Sequence, residues 1–255
     1  MTAALVDFKF LFEPLEHLDH WVEGFFNGAP LLVALAIALV LGLRHASDPD
    51  HLVAVTSLVA VDGGDVRGAA RLGAWWGAGH AGALLVIGIP LILFKSEMPG
   101  WLEQGAEKAV GVVILLLALR VVVKWLRGDF RRDRHGHEQR PERRQHRHLH
   151  EGPAAAHSHQ RLRTPRQAMG IGLLHGLAGS GAVALLLIAA LPGKLEAVGA
   201  LAVFAPMSAV SMTICTSAFA WLLTRRVIDP LYRSVLIPAF GLFGLMFGVW
   251  YVGLG

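Results

Sequence analysis

The stretch Gly42-Leu43-Arg44-His45-Ala46-Ser47-Asp48-Pro49-Asp50-His51 places two histidines, two aspartates and an arginine inside an otherwise apolar sequence. No charged residue occurs from Leu31 to Leu43, and none occurs from Leu52 to Val61. Charged groups inside a membrane are expensive, so they indicate a functional site in which they have partners. The stretch therefore predicts a polar site within a membrane. The alternative is a helix end with a polar cap at the membrane interface.

The spacing of these residues adds geometry. On a straight helix His45, Asp48 and His51 share one side, because each residue turns the helix by about 100°, and Asp50 points the other way. Pro49 clashes with the carbonyl four residues before it, so we expect the helix to open and to leave the carbonyl oxygen of His45 free. Imidazole, carboxylate and carbonyl groups together predict a site for a divalent transition metal.

The composition is that of a polytopic membrane protein. Of the 255 residues, 54% are hydrophobic and only 16% are charged, whereas soluble domains carry about 25% charged residues. The net charge is +4, and the arginines are concentrated in one loop. Positively charged cytoplasmic loops explain it, and no nucleic-acid partner is expected. The single cysteine, Cys215, excludes an intrachain disulfide and a CxxC metal motif, and no prosthetic group is expected.

The apolar segments predict an all-α fold of about six transmembrane helices. The first and longest, from about Pro30 to Ala60, would measure about 46 Å as one straight helix. The hydrocarbon core is only about 30 Å thick, which agrees with a break near Pro49. A polar turn is expected from Asp62 to Arg71. The later helices are expected at about Leu72 to Phe94, Ala109 to Leu126, Gln167 to Leu191, Glu196 to Leu223 and Val235 to Leu254.

Four regions are expected along the chain. Residues 1–27 read as an amphipathic interfacial helix, residues 28–126 as a first three-helix half and residues 167–255 as a second. Between them, residues 127–166 form a loop too poor in large apolar side chains to bury a core, so we expect disorder. The loop is either an accessory metal-attracting tract or an ordinary solvated basic loop. Its seven histidines are His135, His137, His146, His148, His150, His157 and His159.

Two more histidines lie within apolar segments. His80 stands among glycines and alanines, and we favour a ligand role over a hydrogen bond to a neighbouring helix. His175 ends Gly172-Leu173-Leu174-His175, the G-L-x-H frame of residues 42–45. Gly176 and Gly179 follow and are expected to interrupt the fourth helix. Pro206 is expected to break the fifth helix. The hydroxyl groups of the fifth helix either line a polar path or bond back to their own helix.

The two G-L-x-H segments each open a set of three spans, which predicts two inverted repeats with broken first and fourth helices meeting near the midplane. Lys and Arg are concentrated in alternate loops. By the positive-inside rule both termini should lie outside and residues 127–166 in the cytoplasm.

The opening motif supports a family resemblance. His45 to His51 reads H-x4-D-H, which resembles the signature of the nickel/cobalt transporters, namely the NiCoT family and the related NicO and urease-associated nickel permeases. Gly79-His80 resembles the second histidine motif of that family, and Gly172 to Gly181 its glycine-rich histidine segment. The resemblance implies transport of Ni²⁺ or Co²⁺ across a prokaryotic plasma membrane, with His45, Asp50 and His51 as functional residues. The sequence departs from the family pattern in two places. Pro49 stands where many relatives have Ala, and the His-rich loop is more like the loops of nickel/cobalt exporters.

The residues and the resemblance together predict a secondary transporter that takes up Ni²⁺ or Co²⁺. Export, with the His-rich loop collecting the ion, is the second hypothesis; an intramembrane zinc hydrolase and an amino-acid exporter are more remote. The expected partners are the metal ion and the lipid bilayer. A cytoplasmic metallochaperone and a second copy of the chain in a homo-oligomer are further candidates. The predicted metal residues are His45, Asp48, Asp50, His51, His80 and His175.

Overall fold

The described part of the chain is entirely helical. The computed structural model describes Phe8 and residues 31–61, 66–95, 99–127, 164–178, 188, 191, 193–223, 225 and 231–254. The predicted all-α, polytopic membrane class is confirmed, because five segments of these residues are long and apolar enough to cross a membrane. They are Leu31–Thr56, Val66–Phe94, Gly100–Leu126, Lys194–Leu223 and Ser234–Gly253.

We number the helices in chain order. They are α1 (Leu31–His45), α2 (Pro49–Val61), α3 (Val66–Phe94), α4 (Gly100–Leu126), α5 (Pro165–His175), α6 (Lys194–Leu223) and α7 (Ile237–Val249). The α7 helix is flanked by π-helical turns at Tyr232–Leu236 and Trp250–Leu254.

The first span is broken where the sequence predicts. Helix α1 ends at His45 and α2 begins at Pro49, and proline suits the first turn of a helix because its missing amide would have no partner there. The prediction of a free His45 carbonyl is wrong. The turn that replaces the helix lets the Asp48 amide donate to that oxygen at 3.2 Å. The Ser47 amide donates in the same way to the carbonyl of Arg44 at 2.8 Å.

Helices α3 and α4 extend beyond their apolar cores. The predicted turn from Asp62 to Arg71 is too long, because α3 already begins at Val66, and α4 begins at Gly100 rather than near Ala109. The 29 residues of α3 measure about 43 Å, more than the hydrocarbon thickness. Its first turns can therefore lie in the polar interface, where hydropathy gives no signal.

The fourth predicted span is represented by α5, which has a well-defined start and end. Thr164 Oγ1 accepts from the Gln167 amide, and Gln167 Oε1 accepts from the Thr164 amide, which makes a capping box. The helix ends at His175 with Gly176 as its C-terminal cap, so a helix end lies where the glycines predict one. Gly179 and most residues up to Leu191 lie outside the described residues.

The predicted break at Pro206 is wrong, because α6 runs without interruption from Lys194 to Leu223. Proline removes only one amide, whose partner would have been the carbonyl of Ala202. Phe204, Ala205 and Ser208 next to it are buried against neighbouring helices. This packing holds the helix together across the missing hydrogen bond.

Helix α3 is central to the packing. It lies against α5 and α6, α1 also packs against α6, and α4 packs against α7. Helix α2 touches α4, α6 and α7, so the break lets one span contact two sets of neighbours. The inverted-repeat arrangement stays a prediction. The interfacial helix and the His-rich loop lie outside the described residues, apart from Phe8, which packs against Phe243 and Phe247.

Candidate metal centre

A buried polar cluster surrounds the break between α1 and α2. His45 is the last residue of α1, Asp50 and His51 lie in the first turn of α2, and His175 is the last residue of α5. His80 is the central residue of α3, which puts the cluster midway along a span. The six predicted metal residues are at most 2% exposed: His45, Asp48, Asp50, His51, His80 and His175.

Three imidazoles form the first potential ligand set. His45, His51 and His80 have ligand nitrogens within 4.8 Å of one another. The Nε2 atoms of His45 and His80 are 2.9 Å apart. Two nitrogens bound to one divalent ion at about 2.1 Å in neighbouring positions lie roughly 3.0–3.4 Å apart. An ion shared by these rings therefore requires only a small adjustment of the side chains.

A carboxylate and two imidazoles form the second set. Asp50, His51 and His175 also have ligand atoms within 4.8 Å of one another. Asp50 Oδ1 lies 3.1 Å from His51 Nδ1, and Asp50 Oδ2 lies 3.3 Å from His175 Nε2. His51 thus belongs to both sets, with its ring centroid 4.5 Å from those of His45 and His175.

Asp48 belongs to neither set, although it lies beside the cluster. Its Oδ2 atom is 3.1 Å from His45 Nδ1, and its Oδ1 atom is 3.4 Å from the Nη1 atom of Arg44. A carboxylate on the outer nitrogen of an imidazole fixes the tautomer and aims the inner nitrogen. Asp50 holds His51 Nδ1 in the same way, so both motif histidines can turn an Nε2 lone pair towards the centre.

Several buried polar atoms of the cluster make no hydrogen bond. They are His51 Nε2, His80 Nδ1, His175 Nε2 and Asp50 Oδ2. A buried polar atom without a partner is costly, and native proteins contain few. Nitrogen and oxygen lone pairs collected in this way suit a divalent cation.

A close crossing of α3 and α5 positions two of the histidines. A Cβ atom built on Gly172 would lie 1.9 Å from the Trp76 carbonyl oxygen, and one built on Gly79 would lie 2.1 Å from that of Met169. Only glycine permits this approach of two backbones, a common device in membrane helix packing. The crossing lies beside His80 and three residues before His175.

Two aromatic side chains enclose the cluster, and sequence reasoning missed both. The Trp76 ring lies 5.5 Å from His51 and 5.6 Å from His175 between centroids. The Phe204 ring lies 5.3 Å from His45. A signal for Trp76 was present, because it precedes His80 by four residues and so shares its helix face. No comparable signal pointed to Phe204 on α6.

Most hydroxyl groups of α6 bond back to their own helix. Four of them, on Ser208, Thr213, Thr216 and Ser217, donate to carbonyls three or four residues earlier in α6. Ser211 instead donates to the carbonyl of Leu43 in α1. It thereby satisfies one of the last carbonyls of α1, which have no partner within their helix.

The structure brings all six predicted residues together, but not as a straight helix would. Asp50, expected on the far side, contacts His51 and His175 because the chain restarts as a new helix at Pro49. The seven histidines of the loop lie outside the described residues.

Comparisons with known proteins indicate a family for this chain. A family model described as NicO, high-affinity nickel-transport protein, matches residues 31–235, which include every residue of the cluster. The chain is also 25% identical over 227 residues to the urease accessory protein UreH of Bacillus sp. (strain TB-90). That match covers 87% of this chain and 91% of the relative. No solved structure matches the chain.

Proposed function

The chain belongs to the NicO family of high-affinity nickel-transport proteins, and we propose that it carries Ni²⁺ through the buried cluster at the α1–α2 break. It is a multi-pass membrane protein with a metal ion as its substrate. Membership in a transport family makes it a transporter rather than the zinc hydrolase or the amino-acid exporter considered above. His45, His51 and His80 are the proposed first ligands, with Asp50 and His175 beside them.

One observation carries the proposal. Four histidines and an aspartate from four helices meet, fully buried, at the middle of a membrane span. Such groups are expensive in that position and mark ion pathways. Imidazole nitrogen is a good ligand for Ni²⁺, and the carboxylate charge offsets part of the charge of the ion.

Uptake across the plasma membrane is the favoured direction. High affinity suits the capture of an ion that is scarce outside the cell. Support for the orientation comes from the Lys and Arg distribution, which puts both termini outside and residues 127–166 in the cytoplasm. We further propose that residues 28–126 and residues 167–255 are two halves of inverted topology. The broken helix of each half would meet the other at the ion.

Uptake of radiolabelled nickel into cells that express the protein tests the site. We expect His45→Ala and His51→Ala each to abolish uptake above the background of cells without the protein. Ser47→Ala is the matched control, because Ser47 is an exposed residue of the same turn and should transport normally. Normal uptake by both histidine variants at an unchanged protein level would rule out this site.

Competition by unlabelled ions tests the selectivity. Nitrogen and carboxylate ligands also suit Co²⁺, and we expect Co²⁺ to reduce nickel uptake while Mg²⁺, which prefers oxygen ligands, does not. A strong effect of Mg²⁺ would contradict an imidazole-lined path.

Export is the second candidate, favoured by the seven histidines between residues 135 and 159. In that case the loop collects ions in the cytoplasm. Deletion of residues 131–160 separates the two directions when nickel tolerance is measured beside nickel uptake. An importer makes cells more sensitive to nickel, whereas an exporter increases tolerance and loses that effect with the loop.

A further inference from the structure

His51 occupies a special place, because it belongs to both ligand sets. Its Nδ1 atom contacts Asp50 Oδ1 at 3.1 Å, while its Nε2 atom is buried and makes no hydrogen bond. The ring centroid lies 4.5 Å from those of His45 and His175 and 5.2 Å from that of His80. The described ligand atoms form two sets of three around this ring rather than one larger set.

One imidazole cannot serve both sets at the same time. A neutral imidazole has one nitrogen that carries a proton and one with a free lone pair. With the proton on Nδ1, held by Asp50, the free lone pair is on Nε2 and the ring serves His45 and His80. With the proton on Nε2, the lone pair on Nδ1 serves Asp50 and His175.

We propose that Asp50, His51 and His175 form a second ion position, and that the ion passes between the two positions across the His51 ring. This inference rests on the proposed function and specifies how the ion moves within the site. The positions are occupied in turn, because the ring offers one lone pair at a time.

The open atoms of the second position support its role. Asp50 Oδ2 and His175 Nε2 lie 3.3 Å apart as an ion-pair contact, and neither atom has another hydrogen-bond partner. Both residues are at most 1% exposed, so solvent does not satisfy them. Trp76 packs beside the two histidines of this position, with its ring centroid 5.5 Å from that of His51 and 5.6 Å from that of His175.

The two positions also differ in chemistry. The first offers three imidazole nitrogens and no charge. The second offers two nitrogens and a carboxylate oxygen, so it holds a divalent cation with partial charge compensation. An ion in one position is therefore distinguishable by spectroscopy from an ion in the other.

Binding of Ni²⁺ to the purified full-length protein tests the proposal when it is measured beside nickel uptake in cells. We expect His80→Ala to remove the first position and His175→Ala to remove the second. Each variant should still bind one ion, by equilibrium dialysis, but should lose transport at least tenfold. X-ray absorption should find a carboxylate oxygen on Ni²⁺ in His80→Ala and a nitrogen-rich ligand set in His175→Ala.

Two further variants and a control complete the experiment. His51→Ala and the double variant His80→Ala/His175→Ala should lose the ion bound by the buried cluster, so that any remaining Ni²⁺ is what the loop histidines bind. Gly82→Ala, at an open position of α3, should bind and transport normally. Gel filtration and thermal unfolding verify that each variant is folded, and glutamine replaces alanine where a variant fails that check.

The outcomes separate this inference from the proposed function. Loss of binding in both His80→Ala and His175→Ala would indicate one joint site and overturn the two-position proposal. Normal transport by His175→Ala would overturn it as well. An unaltered protein that binds no Ni²⁺ would instead contradict the proposed function, on which the inference rests.

Discussion

At the scale of single residues, Asp48 has a role distinct from that of Asp50. Its carboxylate lies between Arg44 and His45 and joins neither ligand set. We expect Asp48→Ala to weaken Ni²⁺ binding by about 10–100-fold, because carboxylates that orient a ligand histidine contribute about that much affinity. Asp48→Asn should retain most of the affinity, because its amide oxygen can still accept from His45 Nδ1.

Equilibrium dialysis with Ni²⁺ measures both Asp48 variants against the unaltered protein. The contrast between alanine and asparagine separates an orienting residue from a direct ligand. Equal and complete loss in the two variants would indicate that Asp48 binds the ion itself. Unchanged affinity in Asp48→Ala would mean that Asp48 does not orient His45.

The residue pattern predicted which side chains meet, but not how they face one another. The cost of burying charge made the H-x4-D-H stretch and His80 conspicuous in an apolar chain. The straight-helix geometry misplaced Asp50, because the side on which a residue lies depends on how the chain turns between the two helices. The G-L-x-H match at residues 172–175 predicted that His175 lies at a depth in the membrane similar to that of His45. It did not predict the contact between His175 and Asp50.

At the scale of helices, the crossing of α3 and α5 determines where His80 and His175 lie. A methyl group on Gly172 would overlap the carbonyl of Trp76. Overpacking of a tight contact costs about 1–3 kcal/mol, occasionally more, and here it pushes two ligand-bearing helices apart. We therefore expect Gly172→Ala to lower the melting temperature and to reduce Ni²⁺ affinity at least tenfold.

The same helix supplies the matched control. Gly170→Ala adds the same methyl group at a position with open space around it, and it should leave both quantities unchanged. Thermal unfolding and Ni²⁺ dialysis of the two purified variants make the comparison. Equal behaviour of Gly172→Ala and Gly170→Ala would show that the close approach does not position the site.

Helix ends were predictable where local chemistry alone decides them. Pro49 in the first span and the glycines after His175 mark ends that the structure contains. Pro206 is likewise a proline within an apolar segment, yet α6 passes through it, so the proline alone does not decide where a helix ends. The pairing of α3 with α5 depends on contacts between distant residues, and a single sequence does not reveal them.

At the scale of the whole molecule, the membrane made the fold class predictable. A bilayer admits helices because every backbone polar group must be satisfied. The sequence predicts about six apolar spans, and the described residues contain five helices long and apolar enough to cross a membrane. Their arrangement around α3 has no such simple cause. It depends on small residues and on the polar cluster, which joins α1, α2, α3 and α5.

Because four helices contribute to the cluster, Ni²⁺ binding should stabilise the whole molecule. A ligand that binds only the folded state raises the free energy of unfolding by about 2.7 kcal/mol at 100 times its dissociation constant. We expect Ni²⁺ to raise the melting temperature of the purified protein by several degrees, and Mg²⁺ to have little effect. His51→Ala removes the residue shared by both ligand sets and should abolish the shift.

A shift of equal size in His51→Ala would mean that Ni²⁺ acts elsewhere, for instance on the loop histidines. The loop deletion, residues 131–160, should in contrast keep the full shift, because the stabilising ligands lie within the helices.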